Sequence, residues 1–267
     1  LAAHFRKHGR VTIDDSGEWG SVERAIAGQV REARPASGRG TVIAVWGPAG
    51  APGRSTIATG IAAGLAATGS SVVLGDVDTH AASIAPSLGL LDEAPGFAAA
   101  CRLAGADSLT VTELERVAQR YQSGHGSFRV LTGLGRPTRW PELSHDRVAA
   151  TIEQCRGWVD YTVLDTGASL ENDEEISSDL YAPRRNAATI TAVREADIVV
   201  AADGINSVIR AHYTEHFQPT VSLKANRFCW IGSTRPMDAF NYFFKQTPHG
   251  VICAYTYHYE TGKSTWV

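Results

Sequence analysis

Thr41-Val-Ile-Ala-Val-Trp46, Gly47-Pro-Ala-Gly-Ala-Pro-Gly53 and Arg54-Ser-Thr-Ile-Ala-Thr-Gly60 run on without a break, and this stretch decides how the chain is read. A short β-prone apolar run enters a glycine-rich turn, and an Ala-rich helical stretch, 55–67, leaves it. Strand, glycine turn and helix in that order suit a phosphate. Glycines let backbone N–H groups wrap the anion, and the helix N-terminus aims positive partial charge at it. Such a loop also needs a lysine for the β/γ-phosphates and a Ser/Thr hydroxyl for Mg²⁺. Gly50 and Gly53 fit the turn, Ser55 fits the hydroxyl position with Thr56 behind it, and Arg54 stands where the lysine belongs. Arginine keeps the charge, but its broad planar fork does not replace a compact ammonium in a tight cradle. Without further signals, the same residues are an ordinary strand-to-helix turn.

Working outward, buried strands are expected at 71–74, 128–131, 161–164 and 198–202, with helices at 112–121, 145–156 and 184–195 between them. A helix at 21–34 and a linker at 35–40 precede the sheet. Strands that are continuous apolar runs, alternating with helices, predict an α/β fold: a mostly parallel sheet covered by helices on both faces. Two of the strands end in acids. Gly75-Asp-Val-Asp78 follows the second, and Asp160-Tyr-Thr-Val-Leu-Asp-Thr-Gly167 ends its apolar run in Asp165. A strand-end acid beside a phosphate loop can hold Mg²⁺ or its water. Any one such acid is more often a turn former or cap. Three elements in this chain order around one sheet edge are far more specific.

Together these residues resemble the MinD/ParA class of P-loop ATPases over about 41–200, and look closest to its CpaE/TadZ-like members. The motifs are the deviant Walker A loop Gly50-Ala-Pro-Gly-Arg-Ser-Thr56, the Asp76-Val-Asp78 element, and Leu164-Asp-Thr-Gly167. Arg129-Val-Leu-Thr-Gly133 and Pro183-Arg-Arg-Asn-Ala-Ala188 also look typical of that subgroup. The resemblance implies ATP with Mg²⁺ as cofactor, bound by Gly50, Gly53, Arg54, Ser55, Thr56 and Asp165, with Ser55 and Asp165 on the metal. It gives Asp78 the catalytic role of positioning the attacking water. It also implies self-dimerisation and pilus-assembly or positioning partners. Two departures stand out: the family's early signature lysine falls on Ala49, and no lysine lies between Lys7 and Lys224. Weak or absent hydrolysis is the expectation.

The composition changes at Gly204. Aromatic residues number 10 before it and 12 after it, whereas alanine falls from 34 to 4. The basic residues before the break are 18 Arg and 1 Lys; after it they are 3 of each. Fold explains the aromatics, which suit strands, but not the arginine-to-lysine change. At the junction, Ala202-Asp-Gly-Ile-Asn-Ser-Val-Ile-Arg210 ends a strand in Asp-Gly and opens a helix expected at 206–212. A backbone turn at a helix N-terminus with a nearby cation suits a pyrophosphate; the bland alternative is a plain Asp-Gly turn. Strands are then expected at 228–231, 240–245 and 251–259, with Thr247-Pro-His-Gly250 as a hairpin turn.

This second stretch, about 196–267, resembles the group A flavoprotein monooxygenases, on the 2-aminobenzoyl-CoA/salicylyl-CoA hydroxylase branch. The resemblance rests on Ala202-Asp-Gly-x-x-Ser-x-x-Arg210, Phe228-Cys-Trp-Ile-Gly232, Phe240-Asn-Tyr-Phe-Phe244 and His249-Gly-Val-Ile-Cys-Ala-Tyr255. It implies FAD and NAD(P)H as alternative cofactors, with Asp203, Gly204, Ser207 and Arg210 on the cofactor side. Against that reading, the first glycine of a dinucleotide loop falls on Pro48. Both families share a strand at 196–202, so the chain reads as a join of two genes. Its expected domains are 1–40, a nucleotide-binding domain over 41–204, and an incomplete aromatic-rich β segment over 205–267.

Composition excludes several classes. At 267 residues, with 43 % hydrophobic and 20 % charged, the chain holds a sizeable core and is not disordered. A net charge of −3 gives no electrostatic case for nucleic acid. No apolar run approaches the roughly 18–20 residues that span a bilayer, and the first residues lack the apolar region of a secretory signal. Its start without Met and its end inside a strand-like run read as a fragment. The four cysteines form no CxxC pair, which fits a reducing cytoplasm; Cys155 and Cys253, among apolar neighbours, are expected in the core. Function is therefore read as a nucleotide-responsive regulator of the ATPase class. The alternatives are a hydroxylase fragment and a nucleotide-independent interaction module.

Overall fold

The computed structural model describes residues 39–90, 96–124, 126–171, 184–222, 225 and 227–267. The helix expected at 21–34 and most of the linker after it lie outside the described residues. So does the acidic stretch beyond Glu171. The chain divides into two compact units, the first ending at Gln218 and the second comprising Pro219–Val267. The composition break at Gly204 thus lies inside the first unit.

That unit contains β1 (Thr41–Trp46), α1 (Arg54–Ala67), β2 (Val72–Asp76), α2 (Ile84–Ser87), α3 (Phe97–Ala104), α4 (Val111–Val117), β3 (Gln119–Gln122) and β4 (Ser127–Leu131). A 3-10 turn (Pro137–Glu142), α5 (His145–Trp158), β5 (Tyr161–Asp165), α6 (Ala187–Glu195), β6 (Ile198–Ala201), α7 (Val208–His212) and α8 (Thr214–Phe217) follow. The sheet order is β3-β4-β2-β5-β1-β6, parallel except for β3. Ile43, Val45, Leu74 and Val163 face Ala58, Ile61 and Leu65 of α1. Their strand neighbours Val42, Ala44, Val73 and Leu164 face a second cluster that contains Ala100, Ile152 and Ala192. Because both faces are covered, both sets of alternating residues must be apolar. The α/β expectation holds, and β6 completes the sheet beside β1 with Ala202 N–H donating to Trp46 O at 2.6 Å.

One element differs. The helix expected over 112–121 stops at Val117, and Gln119–Gln122 forms the antiparallel edge strand β3. Its burial alternates residue by residue, and Tyr121 packs its ring 5.2 Å from Phe128. Four residues of period-two pattern are too few to show against a helical stretch. Helix α3 is also not legible, because eight residues with Arg102 as their one charged side chain are too short a window to establish a period.

The second unit is an antiparallel sheet of β7 (Ile231–Ser233), β8 (Asn241–Thr247), β9 (Gly250–Glu260) and β10 (Lys263–Trp266), in the order β7-β10-β9-β8. Pro248 and His249 form the hairpin turn, closed by the Thr247–Gly250 pair. The strand expected at 228–231 begins only at Ile231. Phe240 stacks on Tyr255 and Tyr257, and Phe243 stacks on Trp266. Consecutive residues Tyr242, Phe243 and Phe244 are all exposed, so β8 presents apolar side chains to solvent on both faces. Cys253, paired with Phe244, is exposed rather than in the core for the same reason; Cys155 is buried as expected.

Candidate functional site

The loop between β1 and α1 takes its shape from glycines at two positions. Gly50 and Gly53 lie at φ +82° and +112°, a region that side-chain-bearing residues rarely enter. A Cβ on Gly47 would lie 2.0 Å from Ala202 O, so the loop starts in backbone contact with the end of β6. Helix α1 then begins at Arg54 with no side-chain cap, and its first N–H groups are left for another acceptor.

Arg54 turns inward. Its Nη1 donates to Gly47 O at 2.8 Å, and its Nη2 lies 3.5 Å from Asp78 Oδ2. Its Nε is buried and without a partner. Ser55 Oγ pairs with Ser83 Oγ at 3.0 Å. Parallel pairing of β2 with β5 sets Asp76 directly beside Asp165. Asp76 accepts from the N–H groups of Asp78, Ser83 and Ile84 at 3.2, 2.9 and 3.1 Å. Burial, then the charge of Asp165, pushes its carboxyl up to about 7. Burial likewise lifts Asp165 to about 6, opposed by the nearby Ser55 hydroxyl and by the Arg54 charge. Asp165 Oδ1 is buried with no partner. An orphaned carboxylate oxygen at a strand end, next to a helix-start hydroxyl, fits a divalent cation.

Of the sequence-predicted residues, Arg54, Ser55, Asp78 and Asp165 thus come together beyond the C-terminal ends of β1, β2 and β5, with Gly50 and Gly53 in the adjoining loop. Thr56, in the first turn of α1, is exposed and makes no side-chain contact with them. Asn186 was missed. Its side chain is paired with His80 Nε2 at 3.1 Å and donates to Ser169 Oγ and Glu171 O, tying the turn after β2 to the turn after β5. No spacing rule pairs residues 106 apart. Asp203, Gly204, Ser207 and Arg210 also lie together, but they cap one another. Asp203 Oδ2 accepts from Ile209 N, Ser207 Oγ from Arg210 N, and Arg210 Nη2 donates to Ile205 O. Gly204, at φ +77°, sits against Ala51 of the loop.

No protein-family model matches the chain. In fold it is similar to the kinase domain of the Escherichia coli tyrosine kinase ETK, with TM-score 0.54 and 19 % identity over 79 % of this chain and 76 % of that one. Other similar structures include the cell-division ATPase MinD of Pyrococcus furiosus, with TM-score 0.45 and 17 % identity over 61 % and 58 % of the two chains. In sequence, 71 residues are 34 % identical to salicyloyl-CoA 5-hydroxylase of a Streptomyces species, covering 27 % of this chain and 14 % of that protein. A further 33 % identity over 76 residues links 28 % of the chain to 22 % of a 3-hydroxy-4-methyl-anthranilyl-[aryl-carrier protein] 5-monooxygenase from Streptosporangium sibiricum. The chain therefore spans less than a quarter of the curated relatives it matches. Among the described residues, no helix is long and apolar enough to cross a membrane.

Proposed function

We propose that the first unit binds ATP with Mg²⁺ at the 47–56 loop and acts as a nucleotide-responsive regulator of the MinD/ParA type, with weak or absent hydrolysis. The observation that carries this is the orphaned Asp165 Oδ1 beside Ser55, at the mouth of a loop shaped by Gly50 and Gly53. Backbone N–H groups of the loop hold the phosphates, Arg54 supplies positive charge, and Ser55 and Asp165 hold the cation. Asp78 is the residue for orienting water. Hydrolysis is weak because Arg54 is a planar fork tied to Gly47 O, rather than a free ammonium following the transferring charge. Titration with ATP·Mg²⁺ should give saturable binding that weakens at least about tenfold in Arg54→Ala and in Asp165→Ala. Absence of saturable binding in the unaltered protein would sink the reading and leave the interaction-module alternative.

The identity to salicyloyl-CoA 5-hydroxylase favours a second reading, in which 196–267 is a piece of an FAD- and NAD(P)H-dependent hydroxylase. Purified protein with flavin absorbance that survives dialysis would support it. Colourless protein that takes up no added FAD would show that this stretch holds no flavin site of its own.

A further inference from the structure

Arg54 faces a carboxylate that is itself fixed in place. Asp78 Oδ1 accepts from His80 N at 2.8 Å and Ala81 N at 3.1 Å, which orients the side chain and leaves Oδ2 toward Arg54 at 3.5 Å. Both partners are largely buried, with side chains 19 % and 7 % exposed. On its other side the guanidinium is held by Gly47 O at 2.8 Å, within the loop itself. A phosphate recruits arginine through two parallel N–H groups. Here one N–H on each terminal nitrogen is already directed at a loop carbonyl or a carboxylate, and the Nε is buried without a partner.

We propose that Asp78 competes with the nucleotide's phosphate for Arg54. The carboxylate thereby lowers the affinity of the loop, and phosphate binding releases Asp78 from the guanidinium. The inference rests on the nucleotide reading above and adds the residue that sets its affinity. Being tethered, Asp78 acts at high effective concentration, so an incoming phosphate must displace it at every binding event.

The test is titration of the full chain with a fluorescent N-methylanthraniloyl-ATP, comparing the unaltered protein with Asp78→Asn. Asparagine keeps an oxygen for the His80 and Ala81 N–H groups and removes only the charge, and circular dichroism checks the fold. Should that variant not fold, Asp78→Ser replaces it, its hydroxyl serving the same turn. Removing the competitor should tighten binding about tenfold, the scale of one charge-assisted hydrogen bond. Relief of plain repulsion between Asp78 and phosphate would also tighten it. The pair is therefore repeated in an Arg54→Gln background, with binding read up to millimolar nucleotide. Competition requires the gain to disappear there, whereas a gain that persists overturns it. Binding that is unchanged or weaker in Asp78→Asn also overturns competition while the nucleotide reading stands. If neither protein binds, the nucleotide reading itself falls, and competition with it.

Discussion

At Gly47 and Gly60 the same added methyl group should have opposite effects. On Gly47 it would meet Ala202 O at 2.0 Å, backbone against backbone, while on Gly60, inside α1, it meets nothing within 4 Å. Gly47→Ala is therefore expected to cost about 3 kcal/mol. Gly60→Ala should stabilise by roughly 0.5–1 kcal/mol, because glycine is a poor helix former; urea unfolding of the two variants checks both. The carboxylate pair gives a pH signature. Asp76 moves from 3.8 to about 7 and Asp165 from 3.8 to about 6 in the folded chain. Between those limits the folded state keeps protons that the unfolded state has released, so this contribution to stability is lost as pH rises. Without nucleotide, the Tm should fall between about pH 4 and pH 7, with a shallower slope in Asp165→Asn. A flat or rising profile in the unaltered protein would contradict the raised carboxyls.

The elements carry the site through their ends rather than their bodies. β2 and β5 deliver Asp76 and Asp165 as register neighbours, and the turns beyond them are joined by the Asn186 side chain at the start of α6. Asn186→Ala removes the side chain that makes all three contacts. It should cost about 1–3 kcal/mol, with faster amide exchange in both 79–83 and 166–171; exchange speeding up in one turn alone would show that they are not coupled. Strand ends and the loop were legible because each is local: an apolar run, then glycines or an acid. Asn186 was not, because its partners arrive from distant segments. β3 was not, because Tyr121 is placed by pairing with Phe128 rather than by its own neighbours.

At the scale of the molecule, all six strands of the mostly parallel sheet lie before Ala202, and the aromatic hairpins form a separate unit from Pro219. A chain ending at Gln218 should therefore keep its cooperative unfolding and aggregate less than the full chain, since Phe228, Trp230 and Phe244 are 83, 69 and 71 % exposed. Light scattering and thermal melts of the two chains test this; loss of the cooperative transition on truncation would contradict it. The amino-acid sequence by itself determined the α/β class, the loop with its misplaced arginine, and the two acid-ended strands. Those signals are periodicity and turn chemistry, which act over a few residues. Only the tertiary structure decided that Asp76 stands beside Asp165, that Arg54 folds onto Gly47 and Asp78, that Gly204 closes against Ala51, and that Cys253 is bare. Each of these depends on which strands become neighbours and which faces stay covered, and that is settled by packing across the whole sheet.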